Sequence, residues 1–498
     1  MGATTQETLD ALKVALSKSD ETLSKSITTA NGLVAYDLQG PAKNLYPVVT
    51  PLRNSIPRVP GNGGKATNWV EVTKLEGSGF NASPWVPEGQ RSARMSITSA
   101  PKAANYVTIG EEDSLTFEAE SASKGFEDTR STMAMRLLQK TMLKEEAGII
   151  GGNASVALGT PNTPTVTADT SGGTIADGTY NVIVVALTLE GWLNATRTGT
   201  LAVPTAKTIT GADGETYVLN GGSSNKSSAA STGAISGSGA NIISASVPVV
   251  TGAVAYAWFV GTAGNETLQA FTTINSVVLT SLSSDNQNAS AIAADYSRNN
   301  GLAFDGILAT AYASGSAYTN AFASGVVGVG TKLTASGRGS IVEIDNMFKE
   351  QWDQYQIGVT VLYVNSQQLK DMTDKVLDNS SGPLVRYNSD GKEAYKLSAS
   401  GVISYYFNPF TADGGRLIPV KLHPMLPPGT IIGYCEELPA WYQNNNVANV
   451  AEMHCRRDYY QLDYPLRTRR YETGVYAECV LAIYAPFATA VLTNIAAG

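Results

Sequence analysis

A mixed α+β chain interrupted by an all-β block is the fold class this sequence predicts, and three observations lead to it. Residues 114–153 carry apolar side chains at helical spacing. Residues 301–498 alternate helical and extended patterns. Between them, residues 155–300 read as short β-type runs separated by turn residues.

The bulk numbers agree. A chain of 498 residues exceeds one ordinary core, and about two to four domains are expected. Only 16% charged residues, with 48 Gly and 21 Pro, fit β-rich structure with many turns and exclude a disordered chain. The net charge of −8 argues against a protein whose main task is gripping nucleic acid, because phosphate neutralisation needs clustered Lys and Arg. Arg456, Arg457, Arg467, Arg469 and Arg470 do cluster, but among acidic and aromatic residues, so structural ion pairs are expected. Cys435, Cys455 and Cys479 form no C-x-x-C and predict free buried thiols in a reducing compartment. The N-terminus lacks the apolar stretch of a signal peptide, and no run of about 18 uncharged apolar residues occurs. The expectation is a soluble cytoplasmic chain with no membrane partner, in which the glycosylation-like Asn81 and Asn194 matches mean nothing.

In chain order, residues 4–19 predict a short amphipathic helix (Leu9, Leu12, Val14, Leu16), and a Ser/Thr-rich tether follows to about Ala30. Pro41, Pro47, Pro51, Pro57 and Pro60 rule helix out of residues 31–60 and predict an extended arm lying on another surface. Residues 61–100 predict a long β-hairpin: TNWVEVTKLEG, a turn through GSGFNASPWVPEGQ, and ARMSITSAP returning. A two-stranded ribbon is marginally stable alone, so something must cover it. Residues 101–110 continue as a strand.

The long helix follows. Ala119, Ala122, Phe126, Met133 and Leu137 recur at spacings of three, four or seven, and Leu138, Met142 and Leu143 widen the stripe. Glu111, Glu112 and Asp113 precede it, Ser114 is the expected N-cap, and Gly148, Gly151 and Gly152 the expected stop. Roughly 30 residues would span about 45 Å, well beyond the mean helix of about 11–12 residues. Such a helix lies along something large. Gly125 costs it about 1 kcal/mol, so packing rather than propensity holds it.

The block at 155–300 holds four basic residues (Arg197, Lys207, Lys226, Arg298) against eight acidic ones. Strands are expected at 178–191, 241–250, 254–262 and 276–282, making a small β-sandwich, with 211–239 a Gly/Ser loop without packing content. Beyond it, helices are expected at 304–312, 340–352 and 366–378, the last capped by Ser366. Strands are expected at 358–365, 398–406, 416–422, 430–435 and 474–484.

No arrangement of reactive residues assembles an active site. His423 and His454 are the two histidines; His454 adjoins Cys455, but neighbours on a strand face opposite ways, against a Cys–His pair. Two distant His and three scattered Cys match no metal-ligand spacing. GVVGVGTK (325–332) lacks the phosphate-loop register and reads as a flexible loop. The carboxylate pairs Glu111–Glu112 and Glu436–Glu437 read as solvated charge at element ends. No catalytic, cofactor-binding or metal residues are therefore assigned, and a mechanical or adhesive role is expected.

Taken in order, these stretches resemble the tailed-phage major capsid proteins of the Hong Kong 97-type fold over roughly 350 residues. TNWVEVTKLEG…ASPWVPEGQ (67–90) resembles the extended loop, residues 115–150 the spine helix, and EEAGIIGGN (145–153) its usual ending. FDGIL (304–308), SIVEIDNMF and TVLYVNSQQLKDMTD resemble the axial domain. RLIPVKLHPMLPPGTIIGY (416–434) resembles its strand, Pro-rich turn and strand, and RRYETGVYAECVLAIYAPFATAVLTNI (469–495) the C-terminal strand. DGTYNVIVVALTLEGW (177–192) with residues 251–282 resembles an immunoglobulin-like or fibronectin type III insertion, which would project outward.

The resemblance implies an arm at 1–60, an extended loop at 61–100, a peripheral domain with spine helix at 101–154, the insertion at 155–300, an axial domain at 301–455 and returning C-terminal strands at 456–498. It implies a non-enzymatic subunit that assembles with itself through pentamers and hexamers into an icosahedral virion shell, made in the bacterial cytoplasm. Scaffolding, portal and decoration proteins would be partners, and DNA would be enclosed without base readout. Lys65 and Lys74 lie where some related shells crosslink, but no Asn or Glu partner is assigned, and noncovalent closure is expected. The rival readings are an encapsulin-type compartment, against which the insertion counts, and a carbohydrate-binding adhesin using Trp192 and Trp258. A hydrolase is a third, without a constellation to support it.

Overall fold

Proline opens the first helix instead of forbidding it. Pro51 occupies the first position of α1 (Pro51–Ser55), where its fixed φ suits the helix and its missing N–H would have gone unused. The expectation of an extended chain through residue 60 is thus corrected. The computed structural model describes residues 45–77, 85–91, 95–124, 128–210, 214–299, 301–336, 339–378, 403–412, 414–442 and 449–498. The expected helix at 4–19, its tether, the hairpin tip at 78–84, Gly125 and Phe126 lie outside them.

After α1 come β1 (Arg58–Pro60), then β2 (Ala66–Gly77) and β3 (Met95–Asn105), which pair antiparallel as a two-stranded ribbon. The return leg runs beyond the expected end at 100: Pro101 pairs with Val70 and Asn105 with Ala66. β4 (Val107–Thr116), α2 (Phe117–Ser123) and α3 (Thr129–Gly151) follow. This corrects the single helix from Ser114. Ser114 lies in β4 opposite Glu472, and pairing across the sheet overrides the local helical pattern. Thr116 caps α2 through Ala119 N (3.3 Å), and Asp128 caps α3 through Ser131 N (3.3 Å). α3 stops at the expected glycines, with Gly152 as its C-cap donating to Gly148 O (2.8 Å), and Gly151 also allows close packing, since a Cβ there would meet the Leu189 side chain at 2.6 Å.

The middle block contains β5 (Thr165–Asp169), β6 (Gly178–Leu187), α4 (Leu189–Asn194), β7 (Lys207–Thr210), β8 (Thr216–Leu219), β9 (Ala230–Ile235), β10 (Ile242–Ser246), β11 (Ala255–Gly261), β12 (Thr267–Thr272) and β13 (Ser276–Leu279). A three-stranded sheet, β13-β10-β5, faces a four-stranded one, β12-β11-β6-β9. Val182, Val184, Tyr256 and Trp258 meet Ile243 and Val277 in one core. The alternate residues Ile183, Val185, Ala257 and Phe259 belong to the main core on the other side. Burial of both faces explains why β6 and β11 read as unbroken apolar runs. The expected empty loop at 211–239 is also corrected. β8 pairs with β7, β9 pairs with β6, and buried Ser224 and Ser227 exchange backbone bonds with Ala186 and Val184.

The last block runs α5 (Ile307–Ser314), β14 (Tyr318–Ala321), β15 (Ala335–Ser336), β16 (Ser340–Ile341), α6 (Val342–Tyr355), β17 (Val361–Val364), α7 (Ser366–Asp378), β18 (Tyr405–Asn408), β19 (Arg416–Leu422), β20 (Ile431–Tyr434), β21 (Ala451–Asp463), β22 (Arg470–Ile483) and β23 (Thr489–Thr493). Six strands form a mixed sheet, β14-β23-β20-β17-β19-β18. Ile344, Phe348 and Met372 from α6 and α7 cover one face, and Ile307 and Leu308 from α5 belong to the core on the other. Asn365, not Ser366, caps α7 by accepting from Gln367 N at 3.0 Å. β21, absent from the expected strands although residues 451–455 alternate apolar and polar, joins β1, β22 and β4 in a four-stranded sheet that carries α3.

A buried asparagine pair ties the middle block to the six-stranded sheet. Asn494, at φ 62°, accepts from Asn275 N (2.8 Å) and donates to Asn275 Oδ1 (3.0 Å) and Phe322 O (2.7 Å). Asn494→Ala should destabilise the chain by about 2–3 kcal/mol by orphaning these groups. A thermal midpoint unchanged from the parent would refute that role.

Candidate functional site

Glu145 and Glu146, paired acids near the end of α3, organise a charged, buried region of the described residues. Two adjacent carboxylates inside an apolar helical run need partners, and α3 presents them to different elements. Glu146, fully buried, accepts from the first free amides of α1, Leu52 N (2.9 Å) and Arg53 N (2.7 Å), and lies 2.7 Å from His423 Nε2. A carboxylate at a helix N-terminus meets both unpaired N–H groups and the positive end of the dipole. Glu145 accepts from Arg53 Nε (3.0 Å), Arg58 and the Tyr459 hydroxyl. Both guanidinium groups lie over the Tyr459 ring, at 5.2 and 5.1 Å.

Arg58 continues the network to Asp458 (Nε–Oδ2 3.2 Å), Cys455 Sγ (3.3 Å) and Cys479 Sγ (3.6 Å). Burial works against its charge, but bonds to Asp458 and Glu145 outweigh this and raise its pKa. The effect of the whole cluster is mechanical. It locks the arm segment 51–60 onto α3, β21 and the Pro-rich turn.

The residues singled out from sequence are accounted for around this clamp. His423 joins it; His454 turns away to Tyr484 OH (2.7 Å) while Cys455 meets Cys479, so the Cys–His pair does not form. Cys455, Asp458 and Cys479 bring their donor atoms within 4.8 Å, and the Arg58 guanidinium already supplies the positive charge there. Glu111 and Glu112 lie in β4, where Glu111 meets Lys144 and Glu112 accepts from Tyr464 OH at 2.8 Å. Glu436 pairs with Lys421 at 3.2 Å. In the 325–332 turn, the amides of Val329 and Gly330 donate back to Val326 O. Arg456 pairs with Glu478 (2.9 Å) and Arg469 with Glu118 (2.7 Å). Trp258 is fully buried, and Arg197 covers Trp192 at 4.2 Å, which leaves neither as an open sugar platform. Lys65 is exposed, and the Lys74 side chain lies outside the described residues.

Glu190, outside this cluster, is a partly buried acid. At the start of α4 it receives both contacts from Asn299 Nδ2, at 3.2 Å each, and burial pushes its pKa up to about 7. Its unfolded value is near 4.5, so between these pH values the folded chain binds more protons and stability falls as pH rises. The parent should lose on the order of 2 kcal/mol from pH 4.5 to 7.5 at this group, allowing for solvent screening. Glu190→Gln should remove that component. Thermal midpoints of both proteins across this range are the check, and parallel curves would contradict it.

Among the described residues, the β2–β3 ribbon and the β18–β19 pair each leave apolar side chains open. The β2–β3 ribbon is tied at its base, where Trp69 meets Tyr484 edge-on at 5.5 Å and Thr67 meets Tyr106 OH at 2.7 Å. On its other face Val70 is 65%, Val72 53% and Ile97 56% exposed. On the outermost pair β18–β19, Phe407 lies opposite Leu417 and Tyr405 opposite Pro419, with Tyr405, Phe407 and Leu417 exposed. Among the described residues, no helix is long and apolar enough to cross a membrane.

No family model and no curated protein matches the chain. Among solved structures, it is similar to the capsid of Myoviridae phage XM1 (TM-score 0.41, 8% identity, 95% of this chain and 100% of that one). It is similar to the capsid of a native GTA particle (TM-score 0.42, 10% identity, 94% and 97%). The SrpI encapsulin of Synechococcus elongatus PCC 7942 is also similar (TM-score 0.41, 8% identity, 95% and 97%).

Proposed function

We propose that this chain is the major capsid protein of a tailed bacteriophage, assembling through pentamers and hexamers into an icosahedral shell around double-stranded DNA. The β2–β3 ribbon is the observation that carries this reading. A two-stranded ribbon is marginal alone, and its exposed Val70, Val72 and Ile97 are an association hazard unless a neighbour covers them. A surface on one copy that fits a different surface on the next makes a heterologous contact, and such contacts generate rings. Rings of five and six close a shell.

In this reading residues 61–100 are the extended loop and 101–154 the peripheral domain with its spine helix. Residues 155–300 are an immunoglobulin-like sandwich facing outward, and 301–455 the axial domain, with 456–498 returning to the core. The subunit is structural rather than enzymatic, is made in the bacterial cytoplasm and resides in the virion. Its partners are further copies of itself, with scaffolding, portal and decoration proteins. The net charge of −8 suits a wall that encloses DNA without holding it by local attraction. The chain, expressed with its scaffolding partner, should sediment as large particles. A profile of single subunits and small oligomers under those conditions would count against the proposal.

A further inference from the structure

We propose that Cys455 and Cys479 are an oxidisable pair, which a small-molecule disulfide converts to an intrachain bridge stapling β21 to β22 beneath the arm. The inference stands apart from the assembly reading.

Register supplies the first support. Cys455 lies directly opposite Cys479 on antiparallel strands, and the two sulfurs are 2.6 Å apart as free thiols. Directly opposed residues have Cα atoms about 4.5–5.5 Å apart, inside the range of about 4.4–6.8 Å that a disulfide spans. Closing the bond therefore needs little movement of the backbone.

Charge supplies the second. The Arg58 guanidinium touches both sulfurs, at 3.3 and 3.6 Å. The Cys479 hydrogen bond, helped by Arg58, draws the Cys455 pKa down, whereas the same bond and burial drive that of Cys479 up. The pair is thus divided into one nucleophilic sulfur and one proton-bearing sulfur. Access divides them the same way, with Cys455 7% exposed and Cys479 fully buried. Cys435 supplies a contrast within the chain: burial pushes its pKa up to about 12, and its Sγ donates to Glu437 O at 2.9 Å.

The reaction balances. The Cys455 thiolate attacks one sulfur of the reagent disulfide, forming a mixed disulfide and expelling one reagent thiolate. Cys479 then loses its proton and attacks Cys455 Sγ, which expels the second. Two protein thiols are oxidised, and one reagent disulfide is reduced to two thiols.

The test treats the folded full-length chain with 4,4′-dithiodipyridine and follows release of thiopyridone. The expected result is two equivalents per chain, no retained adduct, the loss of two hydrogens by mass, and a reductant-sensitive Cys455–Cys479 peptide. Cys479→Ser should release one equivalent and retain a mixed disulfide on Cys455. Cys455→Ser should react at least about tenfold more slowly. Adducts on both cysteines without a link, or release of reporter only after denaturant is added, would overturn the proposal. The parent measurement decides the matter even if a serine variant fails to fold.

Discussion

Glu146→Ala is expected to release the arm. The substitution leaves Leu52 N and Arg53 N without their acceptor and His423 Nε2 without its partner, with Leu52, His423 and Glu146 all buried. Breaking a buried charged contact by removing one partner costs about 3–5 kcal/mol. Glu146→Gln should lose less, because its amide oxygen still accepts one of the two amides. The damage should be directional as well as large. Limited proteolysis should cut within residues 45–60 first, because the first amides of α1 lose their acceptor and only the Glu145–Arg53 and Glu145–Arg58 pairs still hold the segment. Equal thermal midpoints and equal cleavage rates in parent and variant would remove the clamp from this account.

Deleting residues 62–95 should have the opposite character, leaving the subunit folded and assembly absent. No side chain of β2 belongs to the buried cores among the described residues. Among the described contacts, the deletion removes peripheral packing, chiefly Trp69 on Tyr484 and Thr67 on Tyr106. A chain built to use this ribbon on a neighbour then keeps its fold and loses the surface that reaches that neighbour. Circular dichroism and sedimentation of the deleted chain together test this, and normal shells from it would refute the role given to the hairpin.

The elements legible in the sequence are those whose pattern is local. The apolar runs of β17, β20 and β22 and the helical spacings of α6 and α7 can be read because each element's burial repeats within a few residues. At Ser114 the local pattern misleads, because β4 gains its partner, β22, from the far end of the chain. The Gly/Ser-rich stretch hides β9 because its packing rests on hydroxyls such as Ser224 and Ser227 bonding to β6, which composition scores as loop. The clamp is illegible for a similar reason: Glu146 and His423 stand 277 positions apart. One signal is available, since adjacent carboxylates in an apolar helical run need cations or donors. Arg53 and Arg58, set among the prolines of the arm, are the candidates to supply them. Cys455 and Cys479 can be seen as buried thiols but not as neighbours, because the alternation at 451–455 marks a strand without saying which strand it pairs with or in what register.

Electron microscopy of the fast-sedimenting fraction tests the central claim most directly. The chain, co-expressed with its scaffolding partner, should give closed, hollow particles of uniform diameter whose walls resolve into rings of five and six subunits. Open filaments, amorphous aggregates, or a uniform small oligomer under the same conditions would contradict a shell subunit.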